Sequence, residues 1–156
     1  MRAAYNARKG LSVNTITTRA GMFVSRLSEL KKARAFLERF CEGAGIERQV
    51  ALRLNLVVEE LFLNTVKHGH RGGSDAPVWI TLSTEPEGIC LTYEDHAAPF
   101  NPFAAKAREL LEALAETRRE GGLGVLLAHS LTKRSEYAYL YGRNRIRVIL
   151  ADSPAA

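Results

Sequence analysis

Three polar side chains of one predicted helix are spaced so that they could do chemistry together. When the segment is wound at about 100° per residue, Glu60, Asn64 and Lys67 fall within roughly 60° of one another. A carboxylate, a carboxamide and an amine on one face can activate a nucleophile, ligate a hard metal ion and balance phosphate charge. A solvated helix face has the same pattern, so the decision between the two depends on other segments of the chain.

The opposite arc of this helix is apolar, which predicts a broad buried face. The periodicity runs from about residue 47 to Gly69, where glycine and the polar residues 71–75 end the helix. A helix anchored on this side would hold the polar trio in place. The residues of the apolar arc are Leu54, Val58, Leu61, Phe62 and Thr65.

Length and composition predict one globular domain of ordinary type. The chain has 156 residues, of which 46% are hydrophobic and 25% charged. Residues 1–12 have no period and are expected to be a loose tail, which leaves 13–152 as the domain. No apolar segment reaches the ~20 residues of a membrane span, and the basic N-terminus lacks the apolar stretch of a signal peptide. We therefore expect a cytoplasmic protein that does not enter a membrane.

Charge and cysteine usage narrow the range of partners. The formal net charge is +5, but the basic residues are dispersed and accompany no nucleic-acid-binding signature. Nucleic acid is therefore not expected as a partner, and an anionic small ligand or an acidic protein surface is favoured. Cys41 and Cys90 form no CxxC pattern, so they are interpreted as small core residues in a reducing compartment.

Hydrophobic periodicity predicts a two-layer α/β sandwich. Hairpins dominate the strand connections, so the sheet is expected to be mixed or largely antiparallel, with the helices on one face. The predicted elements are a strand at 14–19, helices at 28–41 and 47–69, a hairpin of 78–83 with 89–94, helices at 103–118 and 123–131, and a hairpin of 137–141 with 145–150 around a turn at 142–144.

Two later segments add groups that the helix lacks. Asp95 ends the second strand of the first hairpin, where an aspartate often only satisfies nearby backbone. Gly121-Gly122-Leu123-Gly124 precedes a short apolar helix, and glycines at a helix start let phosphate oxygens approach the exposed N–H groups. Each signal is weak when taken alone.

In this order, the three segments resemble the nucleotide-binding superfamily of DNA gyrase, histidine kinases and MutL. Within it, the chain looks most like the stand-alone anti-sigma-factor serine/threonine-protein kinases of bacterial partner-switching systems. The similar stretches are residues 60–69, Asp95 followed by 99–102, and 120–124, and the resemblance covers roughly 14–150. It implies a histidine-kinase-like ATPase domain with the Bergerat ATP-binding fold.

The resemblance also implies roles for individual residues. Asn64 would ligate the Mg²⁺ that bridges the ATP phosphates, and Glu60 would orient or deprotonate the attacking hydroxyl or water. Asp95 would accept a hydrogen bond from the adenine amino group. Lys67 would either face phosphate or remain solvated. Residues 103–120 would form a lid over the nucleotide, whose phosphates would be held by the segment Gly121, Gly122, Leu123, Gly124 and Val125.

The sequence departs from the family at Ala97, where glycine is usual. If that backbone needs positive φ, the methyl group would cost roughly 1–2 kcal/mol and weaken nucleotide binding. The leading hypothesis is an ATP- and Mg²⁺-dependent kinase that binds a sigma factor and phosphorylates an anti-anti-sigma partner. The resemblance leaves a homodimer open. The alternatives are a non-catalytic nucleotide-binding interaction module with a weakened ATP site and an interaction domain that binds no nucleotide.

Overall fold

A computed structural model describes residues 16–104 and 132–151. The predicted tail at 1–12, most of the predicted lid and the glycine segment 121–124 lie outside the described residues. One 3-10 turn precedes the first helix, and a π-helical turn, Thr65–Gly69, follows the second. The regular elements are β1 (Thr18–Val24), α1 (Leu30–Ala44), α2 (Arg48–Asn64), β2 (Pro77–Glu85), β3 (Gly88–Asp95), β4 (Thr132–Leu140) and β5 (Arg143–Leu150).

The five strands form one sheet in the order β1-β2-β3-β5-β4. Every neighbouring pair is antiparallel, which agrees with the predicted mixed or largely antiparallel sheet. The strand β3 is central, with the hairpin partner β2 on one side and β5 on the other. The C-terminal end of β3 is therefore enclosed by neighbouring strands.

One face of the sheet packs against the two helices and forms the core. Alternate residues of β2 and β3 point to this face, and the register places Ile80, Tyr93 and Ile146 side by side across three strands. Leu54 and Phe62 of α2 are completely buried against this layer. Burial of each such side chain contributes roughly 1.5–3 kcal/mol, so the predicted apolar arc of α2 is what anchors the helix.

The opposite face carries charged and polar side chains together with Trp79, Cys90 and Ile149. Arg147 pairs with Glu85 at 3.2 Å, and the Arg143 guanidinium lies 3.8 Å from the centre of the Trp79 ring. The helices α1 and α2 thus cover one side of the sheet, as predicted. None of the helices in ranges 16–104 and 132–151 is both long and apolar enough to cross a membrane.

The first strand and the last hairpin differ from the sequence prediction. The β-branched run at 14–19 pointed to a strand, but β1 begins at Thr18 and continues to Val24 through Gly21, which lies above Phe36. The strand β4 begins at Thr132, earlier than predicted. It lies at the edge of the sheet, where charged residues such as those of its first half are common. Tyr141 and Gly142 both have positive φ and form a two-residue turn, so Asn144 belongs to β5 and not to the turn.

Glycine is required at the tight turn between β2 and β3, which gives a test of the packing. Gly88 has φ +136°, and a Cβ there would lie 1.9 Å from the Leu150 carbonyl oxygen. Gly88→Ala should therefore lower the free energy of unfolding by about 2–4 kcal/mol, measured by urea denaturation. Gly43→Ala is the matched control, because its Cβ would meet nothing and the helix should gain ~0.5–1 kcal/mol. Equal effects of the two substitutions would contradict this packing.

Candidate functional site

A cavity of about 370 Å³ opens where α2 ends beside the ends of β3 and β5. Leu61, Asn64 and Thr65 contribute one wall, and Asp95 and Ile146 contribute the sheet side. The loop after β3 closes the cavity with residues 97–100 and Pro102. The size and the largely apolar walls are those of a small-molecule site, with few polar groups to fix a ligand.

Asp95 is the charged residue buried in this cavity, with 5% of its surface exposed. Its carboxylate accepts three hydrogen bonds. The Thr65 hydroxyl donates to Oδ2 at 2.7 Å, while Asn144 Nδ2 and the Ala97 backbone N–H donate to Oδ1 at 2.8 and 3.0 Å. Since each carboxylate oxygen can accept about two bonds, Oδ1 is filled and Oδ2 retains one acceptor position.

The Thr65 hydroxyl is itself positioned by a neighbour. Its oxygen lies 2.7 Å from Tyr93 Oη and 3.0 Å from the Leu61 carbonyl oxygen. Thr65 has one hydroxyl proton, and the Asp95 carboxylate is the strongest acceptor beside it. Tyr93 therefore donates its own hydroxyl proton, either to Thr65 Oγ1 or to the Leu61 carbonyl oxygen at 3.3 Å. Burial raises the pKa of Tyr93 well above its usual value, which keeps this phenol a donor.

A π-helical turn at Thr65–Gly69 brings the helix end against the loop after β3. The His70 N–H donates to the Thr65 carbonyl at 2.8 Å, five residues earlier, and this bond replaces the regular helical pattern. The predicted helix over 47–69 therefore ends at Gly69 as expected, but its last turn is π-helical and not α-helical. The widened turn places Gly69 directly beside Ala97.

Ala97 is accommodated without the strain expected from the sequence. The non-glycine residues with positive φ in the described part of the chain are Arg71 and Tyr141, so Ala97 does not require the left-handed conformation. Its methyl group is buried, and a Cβ added at Gly69 would lie 2.6 Å from it. The Ala97 methyl group thus fills the space that Gly69 leaves free. The cost of roughly 1–2 kcal/mol expected for an alanine with positive φ does not apply, because Ala97 does not have positive φ.

The polar trio predicted on one helix face, in which Lys67 belongs to the π-helical turn after α2, is divided between two environments. Asn64 lines the cavity, whereas Glu60 and Lys67 do not. Glu60 Oε2 is buried and has no hydrogen-bond partner within residues 16–104 and 132–151, while the adjacent Glu59 pairs with Arg34 at 2.6 Å. Burial first, and the charge of Glu59 second, raise the pKa of Glu60 above its usual value; Lys67 opposes this.

Side chains that could hold a metal ion are few among the described residues. Residues 16–104 and 132–151 contain no group of three or more His, Cys, Asp or Glu side chains with suitable placement. Asn64 offers one hard oxygen at the cavity wall. Mg²⁺ beside a nucleotide commonly takes one or two ligands from the protein and the others from phosphate oxygens and water.

Sequence reasoning missed part of the site. Thr65 was expected only as a buried position, and Tyr93 only as an apolar strand residue. Asn144 was placed in a turn, because Gly-Arg-Asn is typical turn composition. The signal that could have found it is the alternation of β5, in which Asn144 shares a face with Ile146 and Val148.

The fold and the cavity define a two-layer α/β domain with a ligand site at the ends of its antiparallel strands. A family model described as "Histidine kinase-like ATPase domain" matches residues 23–150, and the chain belongs to this family. The predicted histidine-kinase-like ATPase fold is therefore confirmed. A search of curated proteins gives no match.

A solved structure with a similar fold is the crystal structure of the RsbU and RsbW domains of Rv1364c from Mycobacterium tuberculosis. The two chains are 12% identical, with a TM-score of 0.60. The similarity covers 86% of this chain and 32% of the other, so this chain spans about a third of that protein's length. At this identity, the likeness concerns the fold.

The contact between Gly69 and Ala97 predicts strong coupling. Gly69→Ala should destabilise the protein by about 1–3 kcal/mol, because two methyl groups cannot occupy the same space. Ala97→Gly alone should cost about 1 kcal/mol through the lost buried methyl group and added chain entropy. In the double variant, most of the Gly69→Ala cost should disappear. Additive effects in urea denaturation would contradict the contact.

The partly buried carboxylate of Glu60 predicts a pH-dependent gain in stability on neutralisation. Because its pKa in the folded protein lies above 4.5, the ionised form is less stable in the fold than in the unfolded chain. This penalty is present above the raised pKa and absent below about pH 4.5. Glu60→Gln should therefore raise Tm by about 1–3 °C at pH 7.5 and leave it unchanged near pH 4.

Glu59→Gln is the matched control for this experiment. It neutralises the neighbouring carboxylate but removes the ion pair with Arg34, so it should give no gain at pH 7.5. A gain in Tm for Glu60→Gln that persists at pH 4 would show that the effect is not caused by ionisation.

Proposed function

We propose that the chain binds ATP with Mg²⁺ in this cavity and acts as an anti-sigma regulatory factor with serine/threonine-protein kinase activity. The observation that carries the proposal is the buried Asp95 carboxylate, which has one acceptor position left at an apolar cavity whose wall includes Asn64. Membership of the histidine kinase-like ATPase family supports the use of ATP. The finer assignment is supported by the resemblance of the three sequence segments.

The adenine base of ATP would be recognised through Asp95. The exocyclic amino group of adenine is a donor and suits the remaining position on Oδ2, whereas guanine presents a carbonyl oxygen that a carboxylate would repel. Leu61 and Ile146 offer apolar surface to the ring. Ala97 does not oppose binding through strain, since its methyl group packs against Gly69.

The phosphate side would be served by the polar face of α2 and by segments outside the described residues. Asn64 would hold Mg²⁺ through its carboxamide oxygen; the ion, when bound, supplies neutralisation of the phosphate charge. Gly121, Gly122, Leu123, Gly124 and Val125 would donate backbone N–H groups to phosphate. Lys67 would add a positive charge to the same region.

Glu60 would act as the general base. A partner's serine or threonine oxygen forms the bond to the γ-phosphorus, the bond from that phosphorus to the bridging oxygen breaks, and ADP leaves. The hydroxyl proton passes to Glu60. Oε2 of Glu60, which has no partner among the described residues, offers an acceptor for this proton. The raised pKa of Glu60 makes the carboxylate a stronger base near neutral pH.

The protein that receives the phosphate would be an anti-anti-sigma protein, and the second binding partner would be a sigma factor. The chain would act in the cytoplasm, as a homodimer.

A nucleotide-binding interaction module without phosphoryl transfer is the second candidate. One observation favours it: Glu60 is not among the residues that line the cavity. In this case nucleotide would stabilise the domain for partner binding, and the raised pKa of Glu60 would be a consequence of burial alone.

Nucleotide binding and transfer are tested in two steps. MgATP at about 100 times Kd should add about 2.7 kcal/mol of stability, a rise in Tm of about 5–10 °C, and Asn64→Ala should remove most of this shift. With MgATP and the anti-anti-sigma partner, intact mass spectrometry should detect one added phosphate, which Glu60→Gln abolishes and Glu59→Gln preserves. A Tm shift without transfer supports the second candidate. Absence of any shift at millimolar MgATP contradicts both.

A further inference from the structure

Asn144 is the most extensively bonded side chain near the cavity. It is 3% exposed and lies opposite Asp95 in the pairing of β3 with β5. Its Nδ2 group donates to Asp95 Oδ1 at 2.8 Å and lies 3.1 and 3.0 Å from the carbonyl oxygens of Ala97 and Ala98. Its Oδ1 accepts from the Phe100 N–H at 2.9 Å and from the Tyr137 hydroxyl at 2.7 Å.

These contacts determine the orientation of the amide. The Phe100 N–H can only donate, so the atom of Asn144 that faces it must be the oxygen. The nitrogen then faces the Asp95 carboxylate, and its two hydrogens serve that oxygen and the two loop carbonyls. A single side chain therefore fixes both the carboxylate and the loop that lies over the cavity.

The consequence for Asp95 is that its two oxygens are no longer equivalent. Oδ1 receives Asn144 Nδ2 and the Ala97 N–H, which uses its acceptor capacity. Among the described residues, Oδ2 receives the Thr65 hydroxyl alone. Rotation of the carboxylate would break bonds on both sides, so Oδ2 is held as the atom with an acceptor position left over.

We infer that Asn144 is a positioning residue that sets the selectivity of the site for a base with an exocyclic amino group. The inference rests on the proposed function, because it concerns how Asp95 reads the base. When Asn144 holds Oδ1, Oδ2 is the atom that can accept a hydrogen bond from the ligand. The position of this acceptor relative to the apolar cavity walls is then fixed. A base with a carbonyl oxygen at the same position meets a carboxylate that cannot turn away.

The test compares two nucleotides that differ at this group. ATP carries an amino group on its base, and ITP carries a carbonyl oxygen in its place. Dissociation constants for both, with Mg²⁺, would be measured by isothermal titration calorimetry on wild type and variants. Wild type should prefer ATP by at least about tenfold, and Asn144→Leu should reduce this preference to less than about threefold. Asn144→Ser, which is smaller and cannot clash, provides the same measurement if the leucine variant does not fold.

Tyr137→Phe is the matched control. It removes a bond on the opposite side of the Asn144 amide but leaves the bond to Asp95, so it should lower stability while the ATP/ITP ratio stays near the wild-type value. A role of Asn144 in stability alone would weaken both nucleotides equally.

The outcomes separate this inference from the proposed function. A reduced ATP/ITP ratio in the Asn144 variants, with the ratio retained in Tyr137→Phe, supports the inference. A preference for ATP that survives in folded Asn144 variants overturns it and leaves ATP binding intact. Failure of the wild-type chain to bind either nucleotide overturns the proposed function and the inference with it.

Discussion

Burial of the Asp95 carboxylate is the constraint on which the site depends. A buried charge is costly unless hydrogen-bond donors reach it, and here the donors come from three different parts of the chain. Thr65 follows α2, the Ala97 N–H belongs to the loop after β3, and Asn144 lies in β5. The helix, the loop and the two strands must therefore be in register before the carboxylate is satisfied.

The core enforces this register. Tyr93, two residues before Asp95, faces Ile146, two residues after Asn144, on the side that packs against the helices. A shift of β5 by one residue would turn Asn144 to the opposite face and expose Ile146. The apolar alternation that stabilises the sandwich thus also aligns the donor with the acceptor. Stability of the fold and precision of the site come from one pattern.

Some of this could be read from the sequence, and some could not. The apolar arc around Phe62 and the alternation of the first hairpin are local periodicities, so the helices and central strands could be predicted from them. The position of Asp95 at a strand end followed from the same alternation. The role of Asn144 could not be predicted, because it arises from a contact between two strands whose residues are 49 apart in sequence. It also depends on a turn at Tyr141 and Gly142, where composition had suggested 142–144. Likewise, the fit of Ala97 against Gly69 depends on a π-helical turn that has no simple sequence signature.

The two ends of the polar face of α2 differ in how completely they are satisfied. At the end beside the cavity, the polar groups of Thr65 and Asn144 are both paired with Asp95, so these three side chains hold one another in place. One turn before Asn64, Glu60 keeps a buried Oε2 that has no partner among the described residues, and its pKa is raised. Paired groups favour a rigid recognition surface, whereas an unpaired buried carboxylate costs stability and is useful only if a donor such as a hydroxyl group comes to it. One end of this polar face is therefore preorganised by internal hydrogen bonds, whereas the other end holds a buried oxygen atom that no described residue satisfies.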